Sequence, residues 1–178
     1  MKFLQWFSAL LVSMSPTVAP AQAPVHSVPA VDLARYAGQW FEIASYPMFF
    51  QRQCVGDTTA DYASSADGTV TVVNRCRTGS GFDQATGKAT VVAGTGNSQL
   101  RVSFFWPFKA DYWVIGLDPD YRWAVVAGPD RKYLWILSRA PRLPQGDMAA
   151  ALAAATSQGF DLGRLRYTSQ AAAGTTSP

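Results

Sequence analysis

From Gln39 onward the chain is cut into eight short segments rich in Val, Thr, Tyr, Trp, Phe and Ile, separated by clusters of Gly, Asp, Asn and Pro. Segments of this length and composition are strands, and many of them with closely spaced turn signals fold as an antiparallel sandwich or barrel. The spans are approximately 39–47, 54–64, 69–78, 87–94, 98–106, 111–118, 121–128 and 132–139. Their connections alternate in character. Asp67-Gly68, Gly94-Thr95-Gly96-Asn97 and Asp118-Pro119-Asp120 suit tight hairpins, whereas 47–53, 79–86, 106–110 and 128–131 are longer or bulkier links. Successive turns of an up-and-down meander lie at opposite ends. The alternation therefore predicts a cup, closed at one end by tight turns and rimmed at the other by larger loops.

The flanks have their own signatures. Residues 144–158 hold an alanine-rich run, with Asp147 placed to cap its start and Gly159 its end, which predicts a helix whose small side chains suit close packing outside the barrel. Residues 164–168 are a candidate ninth strand, and the Ala-, Gly-, Ser- and Thr-rich end reads as a disordered tail. At the front, Lys2, an apolar run from Phe3 to Val12 and Ala19-Pro20-Ala21 have the layout of a secretory signal peptide cleaved after Ala21. The expected organisation is a signal peptide over 1–21, a linker over 22–31, a barrel domain over 32–168 and a tail over 169–178.

Composition removes several function classes. The net charge of +3 is scattered, whereas a nucleic-acid groove must neutralise several adjacent phosphates, so nucleic acid is not expected as a partner. One histidine, His26, and two cysteines, Cys54 and Cys76, cannot furnish a His-based triad or most zinc sites, and no metal or cofactor is expected. No stretch approaches the roughly 18 apolar residues of a membrane-spanning helix. An outer-membrane barrel of eight strands would need an apolar exterior and a polar interior, which Arg101, Ser103, Arg122 and Ser138 on the outward set oppose. Export places Cys54 and Cys76 in an oxidising compartment, and the Asp67-Gly68 turn sets them nearly opposite, so a cross-strand disulfide is geometrically allowed. The alternative, a reactive thiol facing the cavity, would have no His base to activate it.

Two points at the closed end carry a resemblance. Gly38-Gln39-Trp40 opens the first strand and Arg139 ends the eighth, so closure of the barrel lets a guanidinium stack on the Trp40 indole. Together with Leu117-Asp118-Pro119-Asp120-Tyr121, these runs resemble the three signature regions of the lipocalin family over about residues 32–168. The runs 40–44, 102–105 and 128–139 look most like the bacterial outer-membrane lipocalins, relatives of apolipoprotein D and the plant temperature-induced lipocalins. The resemblance implies an eight-stranded all-β barrel with a helix packed outside, in which Gly38, Trp40 and Arg139 hold the fold. Bacterial relatives commonly carry a lipid-anchored cysteine after the signal peptide; none stands here. The expectation is a soluble periplasmic protein, associated with the outer membrane or secreted.

Period-two alternation from Trp40 and Arg139 points Glu42, Ala44 and Tyr46 inward on the first strand and Tyr133, Trp135 and Leu137 inward on the eighth. Hairpin matching adds Leu100, Val102, Phe104 and Trp106 on the fifth strand and Tyr112, Val114 and Gly116 on the sixth. A buried Glu42 must be paired, protonated or hydrogen-bonded, so it is either a floor partner for a basic residue such as Arg139, the favoured reading, or a sign that the alternation slips there. Met48, Phe49, Phe50, Trp106, Pro107 and Phe108 put apolar groups on the large loops, beside the cations Arg52, Lys109 and Arg131. The expected ligand is an amphiphile whose acyl chain enters the cup while its anionic head stays at this rim. The resemblance likewise implies fatty acids or lysophospholipids. Candidate contacts are thus Ala44, Tyr46, Phe49, Val102, Phe104, Trp106, Phe108, Tyr112, Val114, Tyr133 and Trp135, with Arg52, Lys109 and Arg131 at the head group. The expected protein is a non-enzymatic carrier, a monomer or weak homodimer in peripheral contact with membranes and serving cell-envelope lipid maintenance. The alternatives are a lipocalin-fold enzyme acting on a lipid-like substrate, or a filled barrel that interacts through its aromatic rim.

Overall fold

The computed structural model describes residues 22–171. A helical turn, α1 (Leu33–Tyr36), precedes eight antiparallel strands: β1 (Gly38–Ser45), β2 (Gly56–Ser64), β3 (Val70–Thr78), β4 (Gly81–Val91), β5 (Gln99–Ser103), β6 (Ala110–Leu117), β7 (Trp123–Ala127) and β8 (Leu134–Ser138). Each strand pairs with the next, and β1 pairs with both β2 and β8, closing the sheet into a barrel. Helix α2 (Gln145–Ser157) follows, and a two-residue strand, β9 (Arg166–Tyr167), adds to the outer part of β1.

The alternation of side chains sorts the core into two layers. Trp40, Ala60, Tyr62, Val70, Val72, Ala89, Leu100, Val102, Val114, Ala124, Val126 and Leu137 fill the lumen. Ile43, Ala44, Tyr46, Ile115, Val125 and Ile136 face outward, into a second layer closed by Ala151 and Ala155 of α2. The small residues of α2 matter here: an added Cβ at Gly116 would stand 2.8 Å from the Ala154 Cβ, so the helix lies directly on the β6 backbone. An apolar lumen and an outer face covered by a helix are the inverse of a membrane barrel.

Several expectations need correction. The β3–β4 link is not a long loop over 79–86; Thr78 pairs with Gly81, so only Gly79-Ser80 turns and β4 starts six residues earlier than expected. Asp147 does not cap α2, whose N-cap is Pro144; instead it receives Arg122 Nη1 at 2.8 Å. Residues 22–31 form a strap rather than a free linker. Val25 and Val31 are buried, the Val28 amide donates to the Val114 carbonyl, and Gln158 Nε2 donates to the His26 carbonyl. The expected tail is ordered at its start, because Gln170 Nε2 donates to the carbonyls of both Glu42 and Thr58. That amide stitches β1 to β2 just beyond Phe41↔Thr59, where their ladder ends. The signal-peptide segment 1–21 and residues 172–178 lie outside the described residues.

Candidate functional site: a cup with an aromatic rim

The closed end is built by the three sequence regions singled out above. Gly38, at φ +87°, turns the chain into β1 in a conformation that other residues rarely adopt. Trp40 then lies fully inside, its indole Nε1 donating to the Tyr36 carbonyl at 2.8 Å. The Arg139 guanidinium sits 3.9 Å from the indole centroid and donates to the carbonyls of Gln39 and Arg35. Beside them, buried Asp118 accepts from the Arg122 side chain and from the amides of Asp120 and Arg122, which fixes the β6–β7 turn. These residues seal the floor.

Toward the other end the inward face opens. On β6 the inward residues run from fully buried Val114 through half-buried Tyr112 to exposed Ala110; on β4 they run from buried Ala89 and Gly87 to exposed Ala85 and Asp83. On β8 Leu137 is buried while Trp135 is half-buried, as is Tyr133 just before the strand. On β4, β6 and β8 exposure thus rises along lumen-facing positions and opens a cup on that side, with Phe104, Tyr112, Tyr133 and Trp135 on its wall, whereas Glu42, Ser45, Thr58 and Cys76 stay buried on β1, β2 and β3. An aromatic path leads out of it: Trp135 stacks on Tyr133 at 5.9 Å, Tyr133 meets Phe50 at 6.1 Å, and Phe50 meets Phe49 at 5.2 Å.

The rim carries exposed aromatics. Trp106 is 90% exposed, Phe105 and Phe108 are each 76% exposed and Phe49 is 69% exposed, with Lys109 and Arg52 also exposed in the same two loops. Met48, expected at the mouth, is instead buried. Trp106 stands beyond the end of β5, in the loop rather than on the cup wall. Arg131 leaves the rim: its Nε donates to the Gln158 carbonyl at 2.7 Å and its Nη2 to the Ala23 carbonyl, because the free carbonyls at the end of α2 attract a cation. Cys54 and Cys76 form a disulfide with Cα atoms 5.5 Å apart, which ties the β1–β2 loop to β3 and removes the thiol reading.

Parity fails at two bulges. Between Glu42 and Ala44 the β1–β8 register shifts, so Ala44 and Tyr46 turn outward and Ser45 takes the lumen side. Tyr46 packs on Phe160 and donates to the Asp161 carbonyl, outside the barrel. A second shift between Val114 and Gly116 turns Gly116 toward α2. Neither Ala44 nor Tyr46 can touch a ligand in the cup. Tyr36 and Tyr62, which sequence reasoning did not nominate, do reach the lumen. Tyr36 precedes the first strand and has no parity to read, whereas Tyr62 pairs in register with lumen-facing Val72.

Glu42 does face inward, but Arg139 is not its partner. Thr168, Ser45 and Gln51 donate to its carboxyl, beside a cavity of about 260 Å³ that Arg52, Met48, Thr58 and Arg166 also line. Burial pushes this carboxyl above the usual glutamate range, and the three hydrogen bonds oppose that rise only in part. A carboxyl raised in the folded state contributes stability that is present below the unfolded value of about 4.3 and lost as pH rises through the folded value. Glu42→Gln, which has no charge to bury, should therefore gain on the wild type as pH increases from 4 to 7. Paired thermal melts across this range check it; a stability difference independent of pH would contradict it.

A closed eight-stranded barrel, sealed at one end by a stacked Trp–Arg pair and carrying half-exposed aromatics toward the other, is an architecture that can hold one small hydrophobic molecule. The comparisons agree. Residues 31–170 match the model of the lipocalin-like domain family, and the chain belongs to that family. It is 40% identical over 146 residues to the outer membrane lipoprotein Blc of Escherichia coli K12, covering 78% of this chain and 79% of that one. It is 33% identical over 158 residues to temperature-induced lipocalin-1 of Arabidopsis thaliana, covering 80% and 81%. The solved structure of insecticyanin from the tobacco hornworm Manduca sexta superposes with a TM-score of 0.67 at 21% identity, covering 88% of each chain, a likeness of fold.

Proposed function

We propose that this protein is an exported carrier of fatty acids or lysophospholipids in the cell envelope, with no reaction of its own. The observation that carries this reading is the amphipathic mouth. Four strongly exposed aromatics stand on loops that also hold Arg52 and Lys109, directly above a half-exposed aromatic wall. Apolar groups above a cup favour an acyl chain, and cations at the same height favour an anionic head. The head-group cations are Arg52 and Lys109, since Arg131 is bound to α2. The cup contacts are Phe104, Tyr112, Tyr133 and Trp135, above buried Val102, and they extend through Phe49 and Phe108 at the rim. The same loops suit docking on a lipid surface, where exposed Trp and Phe enter the interface and the two cations meet anionic head groups.

A fluorescent acyl probe tests the cup. Wild-type protein should brighten it, and added fatty acid or lysophospholipid should displace it. Ala85→Trp, which fills the cup from an exposed inward position, should weaken binding at least tenfold; a probe that never brightens overturns the reading. Vesicles containing anionic lipid test the docking. Trp106→Ala with Phe108→Ala should lower vesicle binding about tenfold or more, and Lys109→Glu should make the residual binding insensitive to salt. Equal binding by all variants would exclude the rim.

A further inference from the structure

Three tyrosine hydroxyls meet inside the barrel. Tyr36 Oη lies 2.8 Å from Tyr112 Oη, and Tyr112 Oη donates to Tyr62 Oη at 2.8 Å. The three rings come from α1, β6 and β2. In the closed order β2-β3-β4-β5-β6-β7-β8-β1, β2 and β6 are diametrically opposite, so Tyr62 and Tyr112 span the lumen from facing walls. They form a crossbar, buttressed by Tyr36 against Trp40 at 4.9 Å and against Tyr62 at 5.4 Å. Around and beneath it, apolar side chains that include Val31, Val72, Leu100, Val102 and Val114 leave only about 10 Å³ of void, room for one water at most. On the β4 side the wall continues six residues beyond Gly87, about 20 Å along the strand and about 15 Å along the axis of a tilted barrel.

We propose that the Tyr36–Tyr112–Tyr62 crossbar is the floor of the binding cup and limits the length of acyl chain it accepts. The inference rests on the carrier reading above and adds its selectivity. An acyl chain entering from the mouth stops at the hydroxyls, because going deeper would open the Tyr62–Tyr112 bond and bury unpaired phenols among methyl groups. A chain longer than the cup must leave its remaining carbons at the rim, where they gain less burial per methylene. Proton counting adds polarity to the floor. Tyr112 gives its single proton to Tyr62, so Tyr36 donates to Tyr112, and the Tyr62 proton has no protein acceptor among the described residues.

The test is a competition series of saturated fatty acids of increasing length against a fluorescent acyl probe. For wild type, affinity should rise with length and then level off. In Tyr112→Ala the plateau should move to longer chains, with at least a fivefold gain for the first acid beyond the wild-type plateau. Tyr112→Phe keeps the ring but removes its hydrogen bond to Tyr62, so the plateau should move by less than in Tyr112→Ala. Tyr62→Leu removes the opposite half of the bar from another strand and should shift the plateau as Tyr112→Ala does, so misfolding of one variant does not remove the test. A melting transition establishes that each variant is folded. Folded variants that bind with an unchanged plateau would overturn the floor while leaving the carrier intact. Absence of binding by the wild type at every length would instead overturn the carrier reading.

Discussion

Trp40→Ala is expected to cost about 3–5 kcal/mol of folding stability, the range for deleting a fully buried large aromatic. The indole has no exposed surface, and its loss would leave a cavity that the barrel backbone cannot collapse into, since β1 is held by ladders on both sides. It would also strip the Tyr36 carbonyl of its donor and the Arg139 guanidinium of the face it covers. For a domain of this size the melting temperature should fall by about 10 °C or more. Arg139→Lys should be milder but not neutral, because a single ammonium cannot both reach the carbonyls of Gln39 and Arg35 and lie flat on the indole. Calorimetry of the two variants checks this ranking. A Trp40→Ala loss below 1 kcal/mol would mean that the pair does not hold the floor.

Removal of the Cys54–Cys76 bridge should cost about 3 kcal/mol, chiefly by freeing the unfolded chain over the 22 residues of separation. The double variant Cys54→Ala with Cys76→Ala, or reduction of the wild type, should shift the urea midpoint downward with a somewhat steeper slope, because the freed unfolded chain exposes more surface. The effect should also reach the mouth. The bridge anchors the β1–β2 loop that carries Phe49, Phe50 and Arg52, so probe affinity should fall in the double variant even where the barrel remains folded. Coincident urea curves with and without reductant would contradict the stabilising role.

Much of this architecture is legible in the residues because it follows from short-range rules. Eight β-rich segments, the Asp67-Gly68 and Asp118-Pro119-Asp120 turns and the alanine-rich run specify strands, turns and a helix locally. The closure of β1 on β8 then follows from Trp40 and Arg139. What escaped is what depends on geometry without a residue signal. The bulge after Glu42 is marked in the sequence only by a carboxylate at an inward position, and one extra residue moved Ala44 and Tyr46 from the cup to the layer beneath α2. Gly79-Ser80-Gly81 read as a loop because glycines mark both loops and tight hairpins. Arg131 stands in a mouth loop by sequence, yet the end of α2, distant in the chain, claims it. The tyrosine crossbar required knowing that β2 faces β6, a property of the closed ring rather than of either strand.

Native mass spectrometry of protein isolated without detergent, followed by organic extraction of the sample, tests most directly whether the cup is a lipid site. A mass excess that extracts as fatty acid or lysophospholipid, and that Ala85→Trp abolishes, is the expected result. A mass matching the polypeptide alone, unchanged after incubation with either lipid class, would contradict the carrier and leave the aromatic rim as a surface for contact with other molecules.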